Sequence, residues 1–347
     1  MENVHGGDIY RNHVRLDFSV NINPFGIPKA VEQALHAAVR KSVQYPDIAA
    51  EQLKAAVSEM LAVPEEWLLF GNGASELFMA IVHALNPQKT VIPVPSFYGY
   101  EYATEAAGGE VFYYPMTEET AFLPGADLME ALNEETDLLF LANPNNPTGA
   151  VMSEAYLEKL LRHCREKGIY VVLDECFIEF CTDNTSILSK VSRFDNLILV
   201  RAFTKIFAIP GVRLGYLVCS NAELRAVIGR QLPEWNISVL AQAAGCACAK
   251  QQMFVKETAE YVRQERNFLT EQLHASGITV FAGDANFLLL RSDQPLYERL
   301  LAQEILIRDC GNFRGLGEGY YRIAVRTREE NLQLLDALTK LIGENRS

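Results

Sequence analysis

The sequence lacks any run of about 18 to 20 apolar residues, the length that a membrane-spanning helix needs. Residues 1–15 carry charges of both signs and no apolar core, so we expect no secretory signal peptide. The seven cysteines form no CxxC pair and are odd in number, which argues against a disulfide framework and a four-ligand zinc site. The six histidines show no HxH or HExxH spacing. We therefore expect a cytoplasmic protein without a metal site.

Positive charge is also scarce. Lys and Arg total 31 against 44 Asp and Glu, and the net charge of -13 disfavours binding to nucleic acid or to an anionic membrane surface. The 347 residues are 49% hydrophobic and 22% charged, as in an ordinary globular protein of about two domains. A small molecule is the expected partner.

Short apolar runs alternate with amphipathic stretches over the first two thirds of the chain, which predicts an α/β fold with a mostly parallel central sheet between helices. In residues 153–168, Leu157, Leu160, Leu161 and Cys164 recur at helical spacing and Gly168 lies at the expected C-terminus. The predicted strands are residues 67–70, 90–94, 111–114, 137–142, 170–173, 196–200 and 214–218.

The remaining segments predict a smaller α+β domain built from both ends of the chain. Residues 1–45, with a helix near 29–41, form an arm that has too little core to fold alone and is expected to pack with the small domain. Residues 46–235 form the large domain. Residues 236–347 begin with one long helix near 238–275, followed by strands near 286–290, 304–308 and 321–325.

Ligands of open α/β sheets bind beyond the carboxyl ends of the strands, so the strand ends are the candidate site. The turn at 71–75, GNGAS, leads directly into a helix and suits a phosphate, although a plain strand-to-helix turn explains it equally simply. Asp174 follows a buried strand, where a carboxylate needs a cation or a donor. Such an aspartate suits a cationic ligand nitrogen, or it caps a nearby turn.

Lys205 lies beyond the strand at 196–200 and is followed by Ile206, Phe207 and Ala208. A lysine amine in apolar surroundings has a lowered pKa and can hold a carbonyl cofactor as a Schiff base. Arg213, eight residues later, is a candidate phosphate ligand.

Six motifs occur in a fixed order over about 250 residues and together resemble the pyridoxal-phosphate enzymes of the aspartate aminotransferase fold. They are GNGASE (71–76), PSFYGYE (95–101), NPNNPTG (143–149), DECFIEF (174–180), FTKxxxxPGVRLGY (203–216) and YRIAVR (321–326). The resemblance implies pyridoxal 5'-phosphate as cofactor, residues 46–235 as its binding domain, and a homodimer.

The resemblance also implies roles for single residues. Lys205 would bind the cofactor and carry protons, and Asp174 would pair with its ring nitrogen. The other implied cofactor contacts are Asn146, Phe97, Gly73, Ala74, Ser75, Thr204, Arg213 and, from the second subunit, Tyr45, which otherwise is an ordinary turn residue. The implied substrate contacts are His5, Gly6, Asn23, Arg308, Arg322 and Arg326, with Arg322 on the substrate carboxylate; Arg326 is alternatively a surface ion pair.

Two positions depart from the family pattern. Ala202 stands three residues before the lysine, where a hydroxyl side chain is usual, and Phe177 stands three residues after the aspartate, where tyrosine is usual. With HGG (5–7), LDFSVNINP (16–24), LAQ (240–242) and IRDCGNF (307–313), Phe177 makes the sequence resemble the threonine-phosphate decarboxylases of cobalamin synthesis. The histidinol-phosphate aminotransferases are near neighbours. Both imply a phosphorylated amine substrate; the decarboxylase is the leading interpretation and the aminotransferase is the alternative. A ligand-binding regulator of this fold would need a DNA-binding segment, for which the chain has neither spare length nor basic charge. An inactive scaffold is disfavoured because Lys205, Asp174 and Arg322 are all present.

Overall fold

The computed structural model describes residues 5–182 and 186–343. The strands are β1 Leu16–Asp17, β2 Leu68–Gly71, β3 Lys89–Val94, β4 Glu110–Pro115, β5 Leu138–Ala142, β6 Tyr170–Asp174, β7 Leu197–Ala202, β8 Gly215–Val218, β9 Thr279–Val280, β10 Phe287–Arg291, β11 Ile305–Leu306, β12 Arg308–Asp309 and β13 Tyr320–Ala324. The helices are α1 Lys29–Val39, α2 Glu51–Leu61, α3 Ala74–Leu85, α4 Gly99–Ala106, α5 Leu128–Ala131, α6 Glu154–Glu166, α7 Phe203–Ile206, α8 Ala222–Gly229, α9 Val239–Cys248, α10 Gln252–Ala275, α11 Leu296–Leu301 and α12 Arg328–Gly343.

The large sheet of the described chain has seven strands in the order β2-β8-β7-β6-β5-β3-β4. Strand β8 runs antiparallel to both neighbours, and the other paired strands are parallel. The carboxyl ends of the parallel strands therefore meet at one edge, where the amino end of β8 also lies. This confirms the predicted α/β fold class with its mostly parallel sheet.

Side chains that point alternately to the two faces of this sheet build a hydrophobic core on each face. Val172 on β6 belongs to a buried cluster with Phe78 of α3, whereas its neighbours Val171 and Leu173 pack in a second cluster that includes Leu160 of α6. Successive strand side chains point to opposite faces, so a strand buried on both faces is apolar throughout. Rigid strands covered on both sides thus support the loops at the carboxyl edge.

A smaller antiparallel sheet has the order β12-β13-β10-β9 and places Arg308 directly opposite Arg322. The N-terminal arm joins this part of the chain, because β1 pairs in parallel with β11. The Phe18 amide also donates to the Leu306 carbonyl at 2.7 Å.

Two expected elements are divided in the structure. The helix predicted near 238–275 is interrupted between α9 and α10, where the amides of Lys250 and Gln251 donate to carbonyls three residues back and so end the α-helical pattern. The strand predicted near 304–308 is split at Ile307, because β11 pairs with the arm and β12 with β13.

Within residues 5–182 and 186–343, no helix combines the length and the apolar character needed to cross a bilayer. The predicted cytoplasmic location stays a prediction.

Candidate active site

A cavity of about 720 Å³ opens at the carboxyl edge of the large sheet and extends to the small sheet and the arm. Strands β2, β5, β6 and β7 lead into its wall, as expected for ligand sites of open α/β sheets. The predicted residues that line it are His5, Gly6, Ala74, Ser75, Phe97, Asn146, Asp174, Thr204, Lys205, Arg213, Arg308 and Arg322. Folding brings these distant positions together.

Lys205 lies on α7, a single helical turn that follows β7 at the cavity wall. The Asn23 amide donates to the Lys205 carbonyl at 3.1 Å and holds this turn in place. Burial, followed by the positive charge of Arg322, lowers the pKa of the Lys205 ammonium to about 8. The neutral, nucleophilic amine is therefore more populated near neutral pH than that of an ordinary lysine.

Asp174 ends β6 as a buried carboxylate. Its Oδ2 accepts a hydrogen bond from the Tyr100 hydroxyl at 2.6 Å, and its Oδ1 accepts one from the Cys176 amide at 2.9 Å. Burial raises the pKa of this carboxyl, while these donors oppose the rise. Among the residues that the structure describes, no cationic side chain forms an ion pair with Asp174, so a cationic ligand nitrogen would complete its surroundings.

The adjacent Glu175 has a different environment. The Arg201 guanidinium donates to its Oε2 from Nη2 at 2.7 Å and from Nε at 3.0 Å, and the Ser186 hydroxyl donates to the same oxygen at 2.8 Å. This buried ion pair joins the ends of β6 and β7, and Arg201 compensates the charge of Glu175. Of the two neighbouring carboxylates, Asp174 is the one at the cavity.

The turn before α3 forms an anion cradle. Gly73 has φ +82°, a backbone conformation that favours glycine, and a Cβ atom at this position would lie 2.3 Å from Nη2 of Arg213. Ala74 and Ser75 begin the twelve-residue helix α3, whose first N–H groups carry partial positive charge. Together with Thr204, this turn and Arg213 suit a phosphate group.

Arg322 on β13 is a buried cation. Its guanidinium donates to Oδ1 of Asn146 and, at 2.9 Å, to the Ser19 carbonyl, whereas its Nε has no hydrogen-bond partner. Burial lowers the pKa of Arg322 to about 10. Within the described chain it makes no ion pair with a carboxylate, which is the arrangement expected for a residue that binds an anionic ligand.

Arg308 and His5 line the cavity from the small sheet and the arm. Nη2 of Arg308 donates to Oδ1 of Asn312 at 2.7 Å, and its guanidinium lies 5.2 Å from the centre of the Phe313 ring. The His5 ring lies 5.9 Å from the ring of Phe97. Burial, followed by the charge of Arg308, lowers the pKa of His5, so this imidazole is mainly neutral near pH 7.

Four predicted residues are not among the described residues that line the cavity. Gly73 acts through its backbone, as described above. Asn23 donates to the Ile206 carbonyl at 2.6 Å and to Thr258 at 3.0 Å, so it supports the Lys205 turn, and its substrate contact stays a prediction. Arg326 pairs with Glu330 at 2.8 Å, and its substrate contact likewise stays a prediction. Tyr45 is 81% exposed and lies 5.0 Å from the Trp235 ring.

Sequence reasoning assigned no role to several other residues at the cavity. Tyr100 lies within the quoted PSFYGYE motif, and only its contact with Asp174 shows its importance. Glu101 and Arg314 form an ion pair across 213 positions of sequence, which no local pattern indicates. The two departures from the family pattern, Ala202 and Phe177, also line the cavity, and the Phe177 ring packs edge-on against Phe287 at 5.1 Å.

Comparisons with known proteins agree with this geometry. Residues 14–338 match the family described as aminotransferase class I and II. The chain is 36% identical to threonine-phosphate decarboxylase of Salmonella typhimurium, covering 94% of this chain and 91% of that protein. It is 33% identical to histidinol-phosphate aminotransferase of Symbiobacterium thermophilum, covering 96% and 92%. The crystal structure of histidinol-phosphate aminotransferase from Clostridium acetobutylicum superimposes with a TM-score of 0.90 at 31% identity, covering 95% and 99%.

Proposed function

Because the chain belongs to the class I and II aminotransferase family, we propose that it is a pyridoxal-phosphate enzyme that decarboxylates L-threonine O-3-phosphate. The carrying observation is the position of two buried arginines, Arg308 and Arg322, as direct partners on adjacent strands. Like charges opposite each other in a sheet are unfavourable unless anions bind between or beside them. A small substrate with one carboxylate and one phosphate supplies two such anions.

Pyridoxal 5'-phosphate is the cofactor of this family, and the residues present fit it. Asp174 would pair with the ring nitrogen, since it is a buried carboxylate without an ion pair among the described residues. Lys205 would bind the carbonyl carbon. The cradle of Gly73, Ala74, Ser75, Thr204 and Arg213 would hold the phosphate, while Asn146 and Phe97 would contact the ring oxygen and the ring face. When bound, the cofactor withdraws electrons from the Cα atom of an amine substrate.

The chain's own side chains supply orientation and proton transfer. Arg322 would bind the substrate carboxylate, and Arg308 with His5 would bind the substrate phosphate through charge-assisted hydrogen bonds. The orientation in which these contacts hold the substrate would decide between loss of carboxylate and loss of a proton. The Lys205 ammonium, whose pKa is lowered, would donate a proton to Cα and become the neutral amine.

The direct test measures carbon dioxide released from L-threonine O-3-phosphate against glutamate formed from histidinol phosphate and 2-oxoglutarate. We expect the first reaction to have the higher kcat/KM. The resemblance to the histidinol-phosphate aminotransferases makes the second reaction the alternative. Faster glutamate formation would replace the decarboxylase assignment and would show that Phe177 does not distinguish the two activities.

Replacing Arg308 with alanine is expected to lower kcat/KM for the phosphorylated substrate by about tenfold to a hundredfold, because charge-assisted bonds to the phosphate are lost. Removing the phosphate from the substrate should have a similar effect on the wild-type enzyme. Steady-state kinetics check both. The matched control is Arg291→Ala, which removes an exposed arginine paired with Glu118 and should leave kcat/KM unchanged. Equal losses in the two variants would contradict the phosphate role.

We further propose that the enzyme is a homodimer in which Tyr45 completes the site of the other subunit. Tyr45 and its neighbours Val43 and Ile48 are large apolar side chains exposed by 81%, 89% and 60%. A cluster of this kind commonly marks a protein interface. Inactive Tyr45→Ala and Lys205→Ala chains should regain activity when refolded together, because each hybrid dimer then contains one native site. A fully active monomer in analytical ultracentrifugation would refute this proposal.

A further inference from the structure

Residues 310–319 connect β12, which carries Arg308, to β13, which carries Arg322. This connecting loop reaches back to the large sheet. Gly315 has φ +82°, and a Cβ atom there would lie 3.3 Å from the Val94 carbonyl at the end of β3. The loop therefore packs against the end of β3, and its residues Asn312, Phe313 and Arg314 line the cavity.

The loop is joined to helix α4 of the large domain by an ion pair. Nε of Arg314 donates to Oε2 of Glu101 at 2.6 Å, and its Nη2 donates to Oε1 at 2.7 Å. The Arg314 guanidinium also lies 4.5 Å from the centre of the Tyr113 ring. Planar bidentate pairing and stacking fix the direction of an arginine, which a single hydrogen bond does not.

Glu101 is largely buried at the cavity wall, so its carboxylate depends on this partner. The charge of Arg314 is in turn compensated, unlike that of Arg322. Arg314 is thus not the cation that awaits a substrate anion, although it lies at the same cavity. Its contacts hold the loop.

The same loop carries two side chains that contact Arg308. Asn312 accepts a hydrogen bond from Arg308 Nη2 at 2.7 Å, and the Phe313 ring lies beneath the Arg308 guanidinium at 5.2 Å. Phe313 directly precedes Arg314 in the sequence, and Asn312 lies two residues before Arg314. An uninterrupted series of contacts therefore runs from Glu101 through Arg314 and the loop to Arg308.

We propose that the Glu101–Arg314 pair positions Arg308 and so determines the affinity for the phosphate of the substrate without contacting the reacting atoms. This inference rests on the proposed function for the identity of the substrate. A phosphate held by a guanidinium requires accurate direction, because two parallel N–H···O bonds form only in one plane. Loosening the loop is expected to weaken this contact more than any other in the site.

The test uses holoenzyme with Arg314→Gln and Glu101→Gln variants. Each is expected to raise KM for L-threonine O-3-phosphate about tenfold while kcat stays within about twofold, and kcat/KM for unphosphorylated L-threonine should not change. In an Arg308→Ala background, adding Arg314→Gln should raise KM no further, since the pair acts only through Arg308. A rise with both substrates, or a further rise in that background, would overturn the proposal.

The conservative variant Arg314→Lys keeps the charge and loses the bidentate geometry, and we expect an intermediate KM. It also serves if Arg314→Gln folds poorly, which thermal melting and cofactor absorbance would reveal. A wild-type KM in Arg314→Lys together with an unchanged KM in Glu101→Gln would refute the positioning role.

Failure of the proposed function can be separated from failure of this inference. If the wild-type enzyme releases no carbon dioxide from L-threonine O-3-phosphate, the function is wrong, and binding of inorganic phosphate is measured by calorimetry instead. Arg314→Gln should then weaken phosphate binding about tenfold. Equal phosphate affinity in the variant and the wild type would overturn the positioning role on its own.

Discussion

A Lys205→Ala variant is expected to lose at least about 10⁴-fold in kcat, because a covalent partner and a proton carrier disappear together. Decarboxylase assays measure the loss. In the wild-type protein, borohydride reduction followed by peptide mass spectrometry should locate the cofactor on Lys205. The matched control is Lys340→Ala, which removes an exposed lysine paired with Asp336 and should retain full activity. A reducible cofactor link that persists in Lys205→Ala would contradict the assignment.

The lowered pKa of Lys205 gives this prediction a pH dependence. Only the neutral amine attacks a carbonyl carbon, and burial lowers the pKa of Lys205 to about 8. The rate at which apoenzyme takes up the cofactor should therefore rise as pH increases through about 8 and level off above it. Stopped-flow absorbance follows the uptake. A rate that continues to rise toward the ordinary lysine range near pH 10 would show that the amine is not buried as described.

The second large effect is expected for Asp174→Asn, with a loss on the order of 10³-fold in kcat. An ionised carboxylate stabilises a protonated ring nitrogen, whereas the neutral amide cannot, and the ring then withdraws electrons poorly. Apoenzyme of this variant should also bind the cofactor more weakly, as measured by absorbance titration. Unchanged kcat together with unchanged cofactor affinity would remove Asp174 from the site.

The Tyr100→Phe variant is expected to affect the same carboxylate, with a smaller loss of activity than Asp174→Asn. The hydroxyl donates to Asp174 and opposes the rise that burial imposes on the pKa of the carboxyl. Without this donor the pKa rises further, so the acidic limb of the kcat/KM profile should move to higher pH, while activity at the optimum falls only modestly. An unshifted limb would mean that this hydrogen bond does not affect the ionised form of Asp174.

Much of the fold could be predicted because both faces of the large sheet are buried. Such strands are continuous apolar runs that stand out from amphipathic helices, and β6 is found within one residue of its predicted bounds. The boundary between α9 and α10 could not be predicted in the same way. No proline or glycine marks residues 249–251, so the interruption depends on hydrogen bonding that only the folded chain shows.

Some residues of the candidate site could be predicted from the sequence and others could not. Lys205 and Asp174 follow predicted strands directly, and strand ends converge whatever the details of packing. The protein contacts of Asn23 and Arg326 could not be predicted, because a polar residue within a motif can either face the ligand or support the residues that do, and sequence does not distinguish these roles. The Glu101–Arg314 pair joins helix α4 to the β12–β13 loop, and the sequence alone does not show that these distant segments meet.

The hydrogen bond from Arg322 to Asn146 has a thermodynamic consequence. In the proposed assignment Arg322 would bind the substrate carboxylate and Asn146 would contact the cofactor, so this hydrogen bond would connect the two ligands. If a bound carboxylate changed the direction of Arg322, the affinity for the cofactor would change by some factor. Reciprocity then requires that the cofactor change the affinity for the carboxylate by the same factor. Retention of the cofactor and selection of the substrate would therefore be linked equilibria, and we expect a variant at either residue to alter both.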